Sequence, residues 1–278
     1  MKSDPWLQGV IDLHVHASPD IRPRLLDCIE AATLAKEAGM RAIVLKNHVI
    51  PTVDQAALAS QVVRGIDVFG GIVLNREVGG FNTHAVRAAF TLGAKIVWMP
   101  TTSSVLDSQA EGRRKGLSIV ADGRSLDLIP EVEEILDLIA ENNGILATGH
   151  LGAQETELLL EASVRKGIKK FLVNHPEEKS LGISLELRKR LVEGGAFLEY
   201  CFNYCTPRKM QLSIKEYAEV IRATGPDRLV LATDLGQLDN FSPIEGFRVF
   251  IRSLLSLGIP EGWIRRMTVD NPAYLLYG

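Results

Sequence analysis

The sequence predicts a single-domain α/β protein of the (β/α)8 (TIM) barrel type over residues 1–278, and three observations carry that prediction. Apolar, β-branched runs alternate with helical patterns through almost the whole chain, in eight strand-then-helix units with no clear linker. The 278 residues, 46% hydrophobic and 23% charged, suffice for one large core. Finally, His14, His16, His150, His175 and Asp234 fall at the downstream ends of predicted strands, which a closed parallel barrel brings to one face. A doubly wound open sheet is the runner-up, but it gives the first and last strands no reason to share a site.

The elements follow in order. GVIDLHVH is the first strand, and LLDCIEAATLAKEAGM behind it has helical spacing and stops at Gly39 as a C-cap glycine. RAIVLKNH and the helix around DQAALASQVV come next, then IDVFGGIVLN and NTHAVRAAFTLG, where Asn82 can cap the first turn. Strand four is AKIVWM, closed by Pro100. Residues 101–130 interrupt the rhythm, and Asp122-Gly123 between short extended segments reads as a β-hairpin excursion on the strand-C-terminal side, a candidate lid or dimer contact or simply a surface loop. The helix PEVEEILDLIAENNG starts at Pro130 and takes Gly144 as its stop. GILATG with ETELLLEASVRKG, IKKFLVNH with SLELRKRLVEGG, and AFLEYCF with SIKEYAEVIRATG follow, and Ser213 and Glu216 form a capping box in the last helix. DRLVLATD is the eighth strand, followed by IEGFRVFIRSLLSLG and a terminal helix ending DNPAYLLYG.

A net charge of −3 argues against nucleic acid or membrane as the main partner. The start shows no basic and apolar leader, and no apolar run reaches about 18 residues, so the expectation is a cytoplasmic protein acting on a small molecule, its oligomeric state open. Cys28, Cys201 and Cys205 lack CxxC spacing and read as free thiols, with Cys201 or Cys205 near enough to a strand end to reach a site.

His14 and His16 lie two apart on a strand and share a face, with Asp12 one step deeper, which makes a pair of ligands for zinc or a similar divalent ion. His48 ends strand two, whereas His84 falls on a helix. Basic residues on the same rim are Arg22, Arg24, Arg76, Arg113, Arg114, Lys115 and Arg208, candidates to hold a carboxylate or phosphate or simply solvated charges.

HxH on strand one, single histidines on strands five and six, and Asp on strand eight resemble the metal-binding pattern of the amidohydrolase superfamily over nearly the full chain, including the DNPAYLLYG ending. The resemblance implies a first ion held by His14, His16 and Asp234 and a second by His150 and His175. By the same resemblance, a water would be activated there and Asp234 would take its proton. The expected cofactor is one or two divalent ions, zinc by ligand type, and the expected reaction is hydrolysis of a C–N or C–O bond. One departure stands out. Strand four ends Trp98-Met99-Pro100-Thr101, without the carboxylated Lys or Glu that often bridges two ions. Lys46, Glu77 and Glu199 are substitutes, each with a plainer reading: Lys46 as an anion contact or ion-pair partner, Glu77 as a loop residue, Glu199 as an acceptor that fixes a histidine tautomer.

The opening third also resembles the PHP phosphoesterases in its DLHVH and terminal His48. It carries Asn47 where that pattern has Asp, Val73 where it has Glu, and Asp234-Leu235-Gly236 where it has DxH. Alternatives to the hydrolase are therefore a PHP-like phosphoesterase, a non-catalytic barrel that binds metal or ligand, and a Schiff-base lyase through Lys46.

Overall fold

The computed structural model describes residues 5–113, 115–121 and 127–278. In chain order they form β1 (Ile11–Val15), α1 (Cys28–Glu37), β2 (Ala42–Leu45), α2 (Val53–Val62), β3 (Asp67–Phe69), β4 (Gly71–Val73), α3 (Thr83–Thr91), β5 (Ile96–Trp98), α4 (Val105–Ala110) and α5 (Pro130–Glu141). There follow β6 (Ile145–Ala147), α6 (Ala153–Arg165), β7 (Phe171–Asn174), α7 (Leu185–Glu193), β8 (Phe197–Cys201), α8 (Ile214–Thr224), β9 (Leu229–Ala232), α9 (Pro243–Ser256), α10 (Glu261–Arg265) and α11 (Asn271–Tyr277). The predicted third strand is broken at Gly70, whose hydrogen faces the backbone of Thr52 where a methyl group would meet the carbonyl carbon at 2.6 Å. Strands four to eight of the sequence reading are therefore β5 to β9.

The chain divides into two compact units. The first comprises residues up to Asn47, Thr52–Gly70 and Glu199–Gly278. Its strands β1, β2 and β3 pair in parallel, Ile11 opposite Ala42 and Ala42 opposite Asp67. On the other side of β1 runs the segment after β9: Asp234 N–H donates to the His14 carbonyl at 2.9 Å, and His16 N–H to that of Leu235 at 2.8 Å. All five residues of β1 are buried, as expected of a strand covered on both faces. The second unit, His48–Pro51 with Gly71–Leu198, holds β4, β5, β6 and β7 in parallel register, and β8 starts in it.

Several helix boundaries follow their local signals. Asn82 accepts from Ala85 N–H, Pro130 occupies the first turn of α5, and Ser213 and Glu216 make the expected capping box. Helix α1 begins later than its apolar pattern suggests, because Asp27 caps it: the carboxylate accepts from Ile29 and Glu30 N–H while Glu30 accepts from Asp27 N–H. Gly144 is not the left-handed stop of α5. That conformation falls on Asn143 (φ 47°), and Gly144 instead lies against the Phe90 ring, where a side chain would collide. In the 101–130 stretch the structure adds α4, which the sequence reading did not anticipate, and an antiparallel bridge of Val120 with Leu128. The turn predicted at Asp122-Gly123 lies outside the described residues.

The Asp27 cap gives a direct test of the fold reading. Asp27→Ala is expected to lower stability by about 1 kcal/mol in urea unfolding, since it leaves two N–H groups of the first turn without an acceptor.

Candidate metal centre

In the first unit, the downstream end of β1 and the turn after β9 bring three predicted residues together. The Nε2 atoms of His14 and His16 lie 3.3 and 3.1 Å from the same carboxylate oxygen, Asp234 Oδ1. All three residues are buried, and together they form a group with the ligand atoms and spacing to hold a metal ion. Asp234 adopts the left-handed conformation (φ 53°), uncommon for any residue but glycine, and this turns its carboxylate toward β1. Gly236 follows with φ 134°, and a Cβ there would sit 1.8 Å from the His16 carbonyl oxygen, so only glycine allows the two chains to approach this closely.

What surrounds the three residues was less visible in the sequence. Glu199, fully buried on β8, lies 3.0 Å from His14 Nδ1. A carboxylate accepts, so His14 carries its proton on Nδ1 and presents the Nε2 lone pair toward Asp234, the arrangement that suits a metal-binding histidine. Asn203 donates to Asp234 Oδ2 at 3.0 Å, and Cys201 Sγ lies 3.8 Å from Glu199 Oε2. Asn203 carried no motif; its one signal was its place just past the end of β8. His16 is set differently: Arg24 Nη2 is 3.3 Å from its Nδ1. A guanidinium only donates, so Nδ1 accepts and the ring proton faces Asp234; to offer Nε2 to a cation, His16 takes the other neutral tautomer, with its proton on Nδ1 and the Arg24 bond given up. Burial holds the His16 pKa below its usual range, with the Asp234 hydrogen bond opposing and the Arg24 charge reinforcing the shift. Lys46 is buried at the end of β2 and acts on His16 in the same direction.

Asp12 lies one step deeper and ties β1 to β9. Its carboxylate accepts from Thr233 Oγ1 at 2.6 Å and from the N–H groups of Thr233 and His14. Burial outweighs these bonds and pushes its pKa to about 7.

In the second unit, His150 Nδ1 lies 2.8 Å from Asp107 Oδ2, and His48 Nδ1 lies 2.8 Å from Thr101 Oγ1. The His150 ring is 5.6 Å from that of His175 and 6.3 Å from that of His48. His175, directly after β7, has φ 49° and is, like Asp234 two residues past β9, a non-glycine residue in left-handed backbone. Asp107 escaped the sequence reading because S-V-L-D at 104–107 looks like an ordinary capping box. Ser104 does cap α4, but its own N–H goes to the Thr101 carbonyl, and the Asp107 carboxylate turns to His150. Glu77 is exposed on a 3-10 turn (Arg76–Val78), His84 is exposed on α3, and among the described residues neither joins a group able to hold a metal. A cavity of about 930 Å³ opens beside α4 and the start of α6, walled by Val105, Leu106, Leu117, Ile129 and Leu158, and none of the predicted ligands lines it.

Comparison with solved structures shows that this fold is a known one. An amidohydrolase from Pseudomonas aeruginosa matches with a TM-score of 0.65 at 15% identity, over 98% of this chain and 96% of that one. The phosphotriesterase homology protein from Escherichia coli, complexed with phosphate in its active site, matches with a TM-score of 0.62 at 14% identity, over 98% and 99%. A 2,6-dihydroxybenzoate decarboxylase from Rhizobium matches with a TM-score of 0.56 at 14% identity, over 97% and 98%. The fold is thus the α/β (β/α)8 barrel of amidohydrolase-superfamily structures, as the strand-end histidines suggested, and the PHP resemblance gains no support from these neighbours. A family model described as a family of unknown function (DUF6282) matches residues 9–199, and the chain belongs to that family. No curated protein matches the sequence. Among the described residues, no helix is long and apolar enough to cross a membrane.

Two outcomes are expected from the residues behind the imidazoles. Glu199→Gln weakens zinc binding about 10–100-fold in competition with a chromophoric chelator, because the amide no longer fixes the His14 tautomer. For Asp12, the folded pKa of about 7 lies above the 3.8 of a free aspartate, so the native state holds an extra proton between them and stability falls as pH rises through that window. Urea titrations of metal-stripped protein should show Asp12→Asn flattening this decline.

Proposed function

We propose that the protein is a metal-dependent hydrolase that cleaves a C–N or C–O bond of a small anionic molecule at the site built from His14, His16 and Asp234. The observation that carries this reading is the convergence of two imidazole nitrogens on one Asp234 oxygen at 3.3 and 3.1 Å, with Glu199 behind His14. A zinc-type ion bound there would supply a water acidified to a pKa of about 7. Asp234 then serves as the proton acceptor, and Asn203 on Oδ2 keeps its carboxylate from rotating. In the second unit, His150 and His175 are the pair available to a further ion, with Asp107 directing the free Nε2 of His150. The small-anion assignment agrees with neighbours whose structures hold phosphate, 2,6-dihydroxybenzoate or citric acid. Because one of those neighbours is a decarboxylase, release of CO2 from aromatic acids is the second reading.

Purified protein is expected to carry about one to two zinc-type ions per chain by mass spectrometry. On a panel of esters, lactones, amides, phosphoesters and aromatic acids, Asp234→Asn should retain the wild-type circular dichroism yet lose at least about 100-fold in turnover. Turnover that persists at wild-type rate after complete removal of metal would sink the proposal, and CO2 release without hydrolysis would replace it with the decarboxylase reading.

A further inference from the structure

Of the basic residues that the sequence places on the strand-end rim, the structure sets one apart. Arg208 is 42% exposed and paired with Asp239; Arg113 is 41% exposed, paired with Glu111 and bonded to the Thr102 carbonyl. Arg76 donates to the Lys115 carbonyl, Arg22 is exposed, and Arg114 lies outside the described residues. The Arg24 side chain, by contrast, is only 4% exposed and lies against His16. Backbone contacts hold it there: Leu25 N–H donates to the Gly236 carbonyl, and Arg24 bridges Gln237.

The guanidinium's hydrogen bonds can be followed nitrogen by nitrogen. Nε donates to Asp20 Oδ2 at 2.7 Å, and Nη2 reaches Asp20 Oδ2 at 2.7 Å and His16 Nδ1 at 3.3 Å. Nη1 has no hydrogen-bond partner among the described residues, yet it is not sealed from solvent. Taking a guanidinium out of water is costly, and Asp20, the carboxylate paired with it among the described residues, occupies only one edge of the fork. The other edge retains in-plane donors on Nη1, which suit an oxyanion.

We propose that Arg24 recognises an oxyanion, a carboxylate or a phosphate, and so selects anionic substrates for the site of His14, His16 and Asp234. This rests on the hydrolase reading for what happens to the substrate, but not for the binding itself. Arg24 then contacts substrate directly, while Asp20 and the Gly236 turn hold the guanidinium in place.

The test is calorimetric titration of the full chain with inorganic phosphate and, separately, with acetate, in zinc-loaded and in chelator-stripped protein. At least one of the two anions should bind both forms, and which one binds separates phosphate from carboxylate recognition. Arg24→Gln should weaken that binding by at least about tenfold, with Arg24→Lys intermediate and the exposed Arg22→Gln within about twofold of wild type. In wild-type protein labelled with 15N-arginine, the Arg24 side-chain resonance should shift on adding the anion. A folded Arg24→Gln protein that binds as tightly as wild type overturns the proposal. So does an Arg24 resonance that stays put at saturating anion, a readout that holds even where the variants fail to fold. Absence of binding by either anion overturns it equally. Anion binding that survives in stripped protein while no substrate turns over would leave Arg24 standing and count against the hydrolase reading alone. For any anionic substrate found, Arg24→Gln should raise KM with kcat retained and leave a neutral analogue unaffected, a split that a merely structural arginine would not produce.

Discussion

The backbone pairing of β1 with the turn after β9 is the constraint on which the site depends. Two hydrogen bonds, Asp234 N–H to the His14 carbonyl and His16 N–H to the Leu235 carbonyl, join residues more than 200 positions apart in the chain. They set the height at which Asp234 meets the two imidazoles. The left-handed backbone at Asp234 and the bare Cα of Gly236 are the local cost of that meeting, since an ordinary strand continuation would carry the carboxylate past β1. Asp12 and Thr233 reinforce the same seam one layer below.

Around this seam the first unit concentrates buried ionisable groups that only make sense in one another's company. Asp12, Glu199 and Asp234 supply acids; Lys46 and Arg24 supply bases; His14 and His16 lie between them. Isolated burial of any one charge would be costly, and Asp12, Glu199, Asp234 and Arg24 are each answered by a hydrogen bond from or to a neighbour. The two imidazoles are backed by groups of opposite character. Glu199 makes His14 a donor on Nδ1, whereas Arg24 makes His16 an acceptor there, so one strand presents two histidines in different proton arrangements. That asymmetry follows from which neighbouring element supplies the backing group, β8 for His14 and the loop after β1 for His16.

In the second unit the same logic operates on a smaller scale. His150 and His48 are each backed on Nδ1, by Asp107 and Thr101, and Asn75 stitches the surrounding loops through the His48 carbonyl and Thr101. Helix α4 exists to the extent that Ser104 caps it, and its third residue is thereby aimed at His150 rather than spent on the helix end.

Much of this was legible in the one-dimensional pattern. Alternating apolar runs and helical stripes declared the α/β barrel, and Asn82, Pro130 and the Ser213–Glu216 pair marked helix starts correctly, because these signals act over three or four residues. The spacing of His14 and His16 and the position of Asp234 after a strand were equally readable, since a strand end is defined locally. Tertiary structure alone decided what stands behind each ring. Glu199 could be read from sequence only as a candidate ligand or acceptor, Asp107 was hidden inside a capping pattern, Asn203 had no signal beyond its place just past β8, and Arg24 was one of seven similar basic residues. The physical reason is range: caps and strand periodicity are short-range properties of the chain, whereas a tautomer or a buried guanidinium is set by groups that meet only when distant strands and their loops pack together.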